Sequence, residues 1–213
     1  MTDILDFLPL PACTTVADYQ ARLREQRHRE RRIIAAFVGA AAAGDLSIFN
    51  RALNRATEFS VLGRCLCALI RSGQVHDAVR AEFHVTIKTA GDGLRQELRR
   101  DLDLMKALRL LLPPHQGSET IVFRGDSAFN RRRRTYGLSW TTERDVADSF
   151  AQGEWRNCDG GSVLLQAVAP PAAILWTCPA EDDLYGEAEV MVDRRYLRDI
   201  RVLQRFSQAS EAA

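Results

Sequence analysis

Apolar residues recur at helical spacing over about residues 15 to 112. Val16, Tyr19 and Leu23 lead into Ile33, Ile34, Phe37 and Val38 along one predicted helix. Gly44-Asp45 breaks that helix, and Asp45 is placed to cap the next. The second is predicted to run to about Arg71, with Leu46, Phe49, Leu53, Leu62, Leu66 and Leu69 on its apolar side, and Ser72-Gly73 stops it. A third spans about Val75 to Thr89. Gly91-Asp92-Gly93 separates it from a fourth, which carries Leu94, Leu98, Leu102, Met105, Leu108 and Leu111. Pro113-Pro114 ends that helix, because proline lacks the amide a helix interior needs. No proline lies between Pro11 and Pro113, which suits a helical bundle.

The pattern changes after Pro113-Pro114-His115-Gln116-Gly117-Ser118, the best boundary in the chain. Short runs rich in β-branched and aromatic residues follow at Thr120–Phe123, Gly137–Thr142, Ser162–Ala169, Ala172–Thr177, Glu187–Val192 and Ile200–Phe206. One helix, about Glu143 to Gln152, interrupts them. Thr142 is its expected cap, with Asp145 closing a capping box or complementing the helix dipole. The fold class is therefore α+β: a helical unit over residues 1–117, then a mostly antiparallel, β-rich unit over 118–213.

Composition narrows the class without naming a function. The chain has 213 residues, 46% of them hydrophobic and 27% charged, which excludes a disordered, collagenous or disulfide-scaffold protein. The longest apolar run, Ile33–Ala43, is too short to span a bilayer. The first eleven residues carry Asp3 and Asp6 and no basic residue, unlike a secretory signal. Five cysteines without framework spacing read as reduced thiols, and no metal site is expected; a cytoplasmic protein follows. The net charge of +1 conceals an asymmetry. Through Gly117 there are 17 basic and 13 acidic residues; from Ser118 there are 12 and 15. Only Lys88 and Lys106 are lysine, so the basic residues are almost all arginine, a side chain suited to two-pronged phosphate contacts.

Three local features in the second half bear on chemistry. Val122-Phe123-Arg124-Gly125 ends an apolar strand with a guanidinium beside an open backbone position. In Gly137-Leu138-Ser139-Trp140-Thr141-Thr142, strand alternation puts Ser139 and Thr141 on one face and Leu138 and Trp140 on the other. In Tyr185-Gly186-Glu187-Ala188-Glu189-Val190-Met191-Val192, the same alternation puts Glu187 and Glu189 side by side. Like charges so placed are unfavourable unless a cation or a reacting group lies between them. Glu189 opens an apolar run and is expected to be partly desolvated. Arg131-Arg132-Arg133-Arg134 lies between the first two features and reads either as a solvated loop or as the rim of a cleft.

The order of these features resembles the Arg-Ser-Glu clade of mono-ADP-ribosyltransferases. There an arginine ends the first strand, a Ser-Thr-Ser motif sits on a middle strand, and a Glu-x-Glu or Gln-x-Glu opens a later one. The matching residues are Arg124, Ser139-Trp140-Thr141 and Glu187-Ala188-Glu189, over about residues 119 to 207; Trp140 departs from the usual small middle residue. The resemblance implies a split-sheet fold that binds NAD+ in a cleft between two small sheets. It implies transfer of ADP-ribose from NAD+ to a macromolecular acceptor, either a protein arginine or a nucleic-acid base. Glu189 would then stabilise the ribosyl cation and Glu187 would serve the acceptor. Arg124 would meet the phosphates and Gly125 the nicotinamide amide. Ser139 would hold the nicotinamide ribose, with Thr141 and Phe150 nearby. The helical unit would recognise the target or a partner. By analogy with such enzymes, the protein would be an intracellular toxin or defence effector held by a neutralising partner. Two other readings stand beside this one: an NAD glycohydrolase, with water as acceptor, and a non-catalytic binding module on a degenerate transferase fold.

Overall fold

The computed structural model describes residues 15–83, 101–183 and 185–208. The protein is mixed α+β, with a helical N-terminal region and a six-stranded antiparallel C-terminal sheet.

Helix α1 spans Val16–Ala43, α2 Leu46–Glu58 and α3 Leu62–Ser72. The turn chemistry is local. Gly44 closes α1 at φ 77°, and the Asp45 side chain accepts from the Ile48 amide to start α2. Gly73 closes α3 at φ 66°. The single second helix expected from the periodicity is two helices. Phe59 and Ser60 break it, with Ser60 at φ 51°, and neither glycine nor proline marks the place. A helical segment follows at 77–83. The remainder of the third expected helix, the Gly91–Gly93 break, Leu94 and Leu98 lie outside the described residues. Helix α4 spans Asp101–Leu111. Its Met105, Leu108 and Leu111 are buried as expected, whereas Leu102 is exposed.

The apolar stripe of α1 is only half used. Ile33, Phe37, Ala40 and Ala41 are buried, but Val16 and Tyr19, expected in the core, are exposed. A 28-residue helix is about 42 Å long and outruns the body it packs on.

Strand β1 is Thr120–Ser127, β2 Ser139–Thr141, β3 Ser162–Ala169, β4 Ile174–Thr177, β5 Glu189–Val192 and β6 Arg198–Phe206. Helix α5 (Ala128–Arg133) follows β1, and α6 (Arg144–Gln152) follows β2. The strand order is β4-β5-β2-β1-β3-β6. The β1–β3 ladder is continuous from Thr120↔Ala169 to Ser127↔Ser162. Between β1 and β2 only Phe123↔Thr141 is in register, so the sheet opens at its centre.

Two cores lie on the two faces. On one, Val122, Trp140, Val163, Leu165, Val190 and Val192 cluster together. On the other, the helices pack with Leu138, Leu175 and Trp176, and Met191 packs against them. Leu138 precedes β2 and joins the helical core; it does not share the Trp140 face as strand alternation predicted. The helical core thus crosses the Pro113–Ser118 boundary.

An ion cluster reinforces that crossing. Asp193 is fully buried at the end of β5. It accepts from Arg109 of α4 (Nε, 3.1 Å) and from Arg195 (Nε 2.9 Å, Nη2 2.7 Å). Arg109 also donates to the Ala172 carbonyl at 2.6 Å and stacks on Tyr196. Burial acts to raise the Asp193 pKa. The hydrogen bonds from Arg195 and Arg109 and the Arg195 charge outweigh it, so the carboxyl titrates below its ordinary value.

A depressed folded pKa supplies stability above the unfolded value, near 3.9, that is lost as pH falls through the folded value. Asp193→Asn should therefore cost about 2 kcal/mol at neutral pH, the scale of hydrogen bonds to charged groups. For this chain length that lowers the thermal midpoint by roughly 4–8 °C. The difference from the parent should shrink below about pH 4. Calorimetry of both proteins over a pH series checks it; a gap that widens in acid would contradict the assignment.

Candidate active site

The site builds from β2 and β5. Ser139 pairs with Met191 and Thr141 with Glu189, so Ser139 and Glu189 are diagonal neighbours on one face of adjacent strands. That face lies between two covers. Helix α6 lies on β1 at Gly125, where a Cβ would fall 2.4 Å from the Ala151 amide and 2.5 Å from the Ala147 carbonyl. The helical core covers Met191 on the other side. Ser139 and Glu189 are half-buried in the strip between them. Neither side chain has a hydrogen bond or ion pair among the described residues, so the Glu189 carboxylate is a partly desolvated charge without a matched cation there.

The resemblance expected the Gly125 backbone to be open to a ligand. It is seated under α6, and the glycine serves close helix–strand contact. Ser162, buried at the start of β3, donates its hydroxyl to the Ala151 carbonyl and fastens the end of the same helix.

Arg124 stands on the other face of the sheet from Ser139 and Glu189, in the alternation of Val122 and Asp126. Its Nε donates to Asp126 at 2.7 Å, and its Nη1 donates across the opening to the Ser139 carbonyl at 2.5 Å. Asp126 is fully buried and also accepts from the Ser127 amide and from Asn130 Nδ2, each at 2.8 Å. Arg124 is a strut between β1 and β2, with 12% of its side chain exposed. Its Nη2 has no hydrogen bond among the described residues and lies against Gly137, where a Cβ would come within 2.6 Å of it. Trp155 faces the guanidinium at 5.9 Å.

Thr141 is buried, and its hydroxyl is spent on the backbone. It donates to the Glu187 carbonyl at 2.6 Å and accepts from the Glu143 amide at 2.8 Å. It therefore does at the α6 entrance what was expected of Thr142; Glu143 is the N-cap, without a side-chain cap bond. Asp145 does lie in the first turn of α6, complementing its dipole. Phe150 is on α6 and 41% exposed, outside both cores.

Glu187 was expected in the strand beside Glu189. It lies before β5, and Ala188 between them has φ 43°, a left-handed conformation that interrupts the pleat. Both carboxylates are half-buried, but strand alternation does not set their relation. The residue that sequence reasoning missed is Asp183. Its Oδ1 accepts from the Glu187 amide at 2.8 Å and its Oδ2 from the Ala188 amide at 2.7 Å. In the sequence it is one acid in an acid-rich loop, with nothing to separate it from Glu181 and Asp182. The tip of that loop carries Tyr185, 86% exposed.

The arginine run makes up half of α5 and ends at Arg134 with φ 55°, rather than forming a loop. It leaves from the Ser127 end of β1, four residues, or about 13 Å, along the strand from the level of Glu189.

Cys65, Cys67 and Cys158 are free thiols, and the Cys178 thiol donates to the Pro179 carbonyl at 3.6 Å. Burial pushes the Cys65 thiol up to about 11, against the opposing charge of Arg64. No group of three His, Cys, Asp or Glu that could hold a metal ion occurs among the described residues, and no described helix is long and apolar enough to cross a membrane. No family model, no curated protein and no solved structure matches the chain.

Proposed function

We propose that the protein is an NAD+-dependent mono-ADP-ribosyltransferase acting on a macromolecular acceptor. The observation that carries the reading is Glu189: a half-buried carboxylate without a charge partner among the described residues, beside Ser139 on a strip between two helical covers. A negative charge so placed matches a substrate that becomes cationic as it reacts. The opening between β1 and β2, the bridging Arg124 and the order of the motifs support the same reading.

The chemistry follows from that charge. The bond from the ribose C1′ to the nicotinamide nitrogen breaks, and its electron pair stays on the ring nitrogen. Nicotinamide thereby leaves neutral and needs no acid. The ribose becomes an oxocarbenium ion of the kind met in glycoside hydrolysis, which Glu189 stabilises. Ser139 holds the ribose in line with that carboxylate. A nucleophile on the acceptor then attacks C1′ and gives its proton to Glu187, which stands outside the strand at the foot of the exposed loop. Arg124 acts as the strut that keeps the opening; because its side chain starts on the other face of the sheet, the phosphate contact expected of it requires a phosphate oxygen to reach its Nη2 through that opening. Gly125 contributes through the seating of α6, and Phe150 offers an exposed aromatic face on that helix. A target-binding role for the helical region, and a neutralising partner protein, belong to the same proposal.

Glu189→Gln keeps shape and removes charge. Nicotinamide release should fall by about a hundredfold or more, the scale of one preorganised electrostatic group, with NAD+ affinity little changed. Near-normal turnover in that variant would remove Glu189 from the mechanism. If the parent neither binds NAD+ by calorimetry nor releases nicotinamide, the binding-module reading takes its place.

Glu187→Ala should spare release of nicotinamide to water and abolish transfer, measured by mass spectrometry of cell protein and nucleic acid incubated with labelled NAD+. Parallel loss of both activities would place Glu187 in the cleavage step. A parent that releases nicotinamide yet labels no macromolecule is a glycohydrolase.

A further inference from the structure

We propose that Asp183 is a positioning residue for Glu189, acting through the backbone of Ala188; the inference rests on the reading of Glu189 given above. The two oxygens of Asp183 take the two successive amides of Glu187 and Ala188 at 2.8 and 2.7 Å. The Thr141 hydroxyl takes the Glu187 carbonyl at 2.6 Å from the opposite side. Between these holds, Ala188 sits at φ 43°, where a side chain bearing a Cβ is disfavoured. No glycine relieves the position, so the conformation persists because its surroundings impose it.

The consequence falls on the next residue. Glu189 is fixed on its far side by its ladder partner Thr141 and by the Cys178 amide, which donates to the Glu189 carbonyl at 2.8 Å. On its near side it is held through the Ala188 peptide: the Asp183 clamp fixes the amide end of Ala188 at 2.7 Å, and the Thr142 amide donates to the Ala188 carbonyl at the longer distance of 3.3 Å. An extended Ala188 would continue the pleat and bring both carboxylates onto one face, each raising the cost of charge on the other. The left-handed turn breaks that alternation. Asp183 therefore keeps the carboxylate that faces the ribose apart from the one that faces the acceptor.

The test uses the strain itself. Asp183→Ala removes both acceptors, and Ala188 is then free to relax. Nicotinamide release should fall about tenfold in kcat, the factor that one left-handed residue of this kind represents, with KM for NAD+ nearly unchanged. Asp183→Asn keeps one acceptor oxygen and should fall between the parent and Asp183→Ala. In the double variant Asp183→Ala, Ala188→Gly, the glycine adopts the turn without strain, and kcat should recover by several-fold. Thermal stability should not recover, because glycine adds freedom to the unfolded chain. A merely structural role predicts the reverse: stability and turnover fall together, and glycine restores neither. Parent-like kcat in Asp183→Ala, or no gain from the glycine, would overturn the proposal.

Amide hydrogen exchange at Glu187 and Ala188 separates this failure from that of the functional reading. Faster exchange in Asp183→Ala than in the parent is expected, and unchanged exchange would remove the clamp whatever the activity. If the clamp is present by exchange but the parent cleaves no NAD+, the assignment to catalysis falls together with the reading of Glu189.

Discussion

The centre of the sheet depends on one buried carboxylate. Adjacent strands are normally held by a ladder of backbone bonds, but β1 and β2 share one register pair and then part. Asp126 supplies what the ladder does not. It is buried beside the Val122–Trp140 core, and it holds Arg124 so that the guanidinium spans the opening to the Ser139 carbonyl. Its other oxygen anchors the first turn of α5 through Ser127 and Asn130. An isolated buried charge would be costly; this one is fully engaged, by one cation and two amide donors. Opening a sheet without exposing its edges to water requires some such strut. The position of Ser139, and through β2 that of Glu189, follows from it.

That arrangement also divides labour between the two faces. On the Trp140 face the strands bury a continuous apolar core. On the other, two separate covers leave a strip between them: α6 seated on a glycine, and the helical bundle seated on Met191. The polar residues of the strip, Ser139 and Glu189, are half-buried because the covers do not meet over them. A sheet with one continuous cover would have buried Glu189 completely, at a cost its lone charge could not sustain.

Much of this is written locally in the chain. Gly44-Asp45 and Gly73 end and start helices where their chemistry demands, and β3 has the predicted bounds because its alternation is bracketed by glycines and prolines. What was illegible depends on tertiary contact. The break at Ser60 has no breaker residue. Val16 and Tyr19 follow the same period as Phe37, yet α1 extends past the body that buries Phe37. The site was legible as residue types but not as geometry. Nothing in Arg124-Gly125 says that the arginine bridges two strands or that a helix rests on the glycine. Nothing in Glu187-Ala188-Glu189 says that the middle residue turns left-handed, because the cause lies in Asp183 and Thr141.

The shared core across the Pro113–Ser118 boundary has a bearing on modularity. Leu138, Leu175 and Trp176 belong to the sheet by sequence and to the helical bundle by packing, and Arg109 reaches over to Asp193 and Ala172. The two parts are therefore not interchangeable cassettes. A different helical region grafted onto this sheet would have to bring a surface complementary to those three side chains and a cation for Asp193. The outer faces of the helices can change while their inner faces stay matched to the sheet. In a lineage built this way, recombination at the proline-rich joint yields chains that mismatch along a whole face, whereas point substitutions on the outside remain free to accumulate.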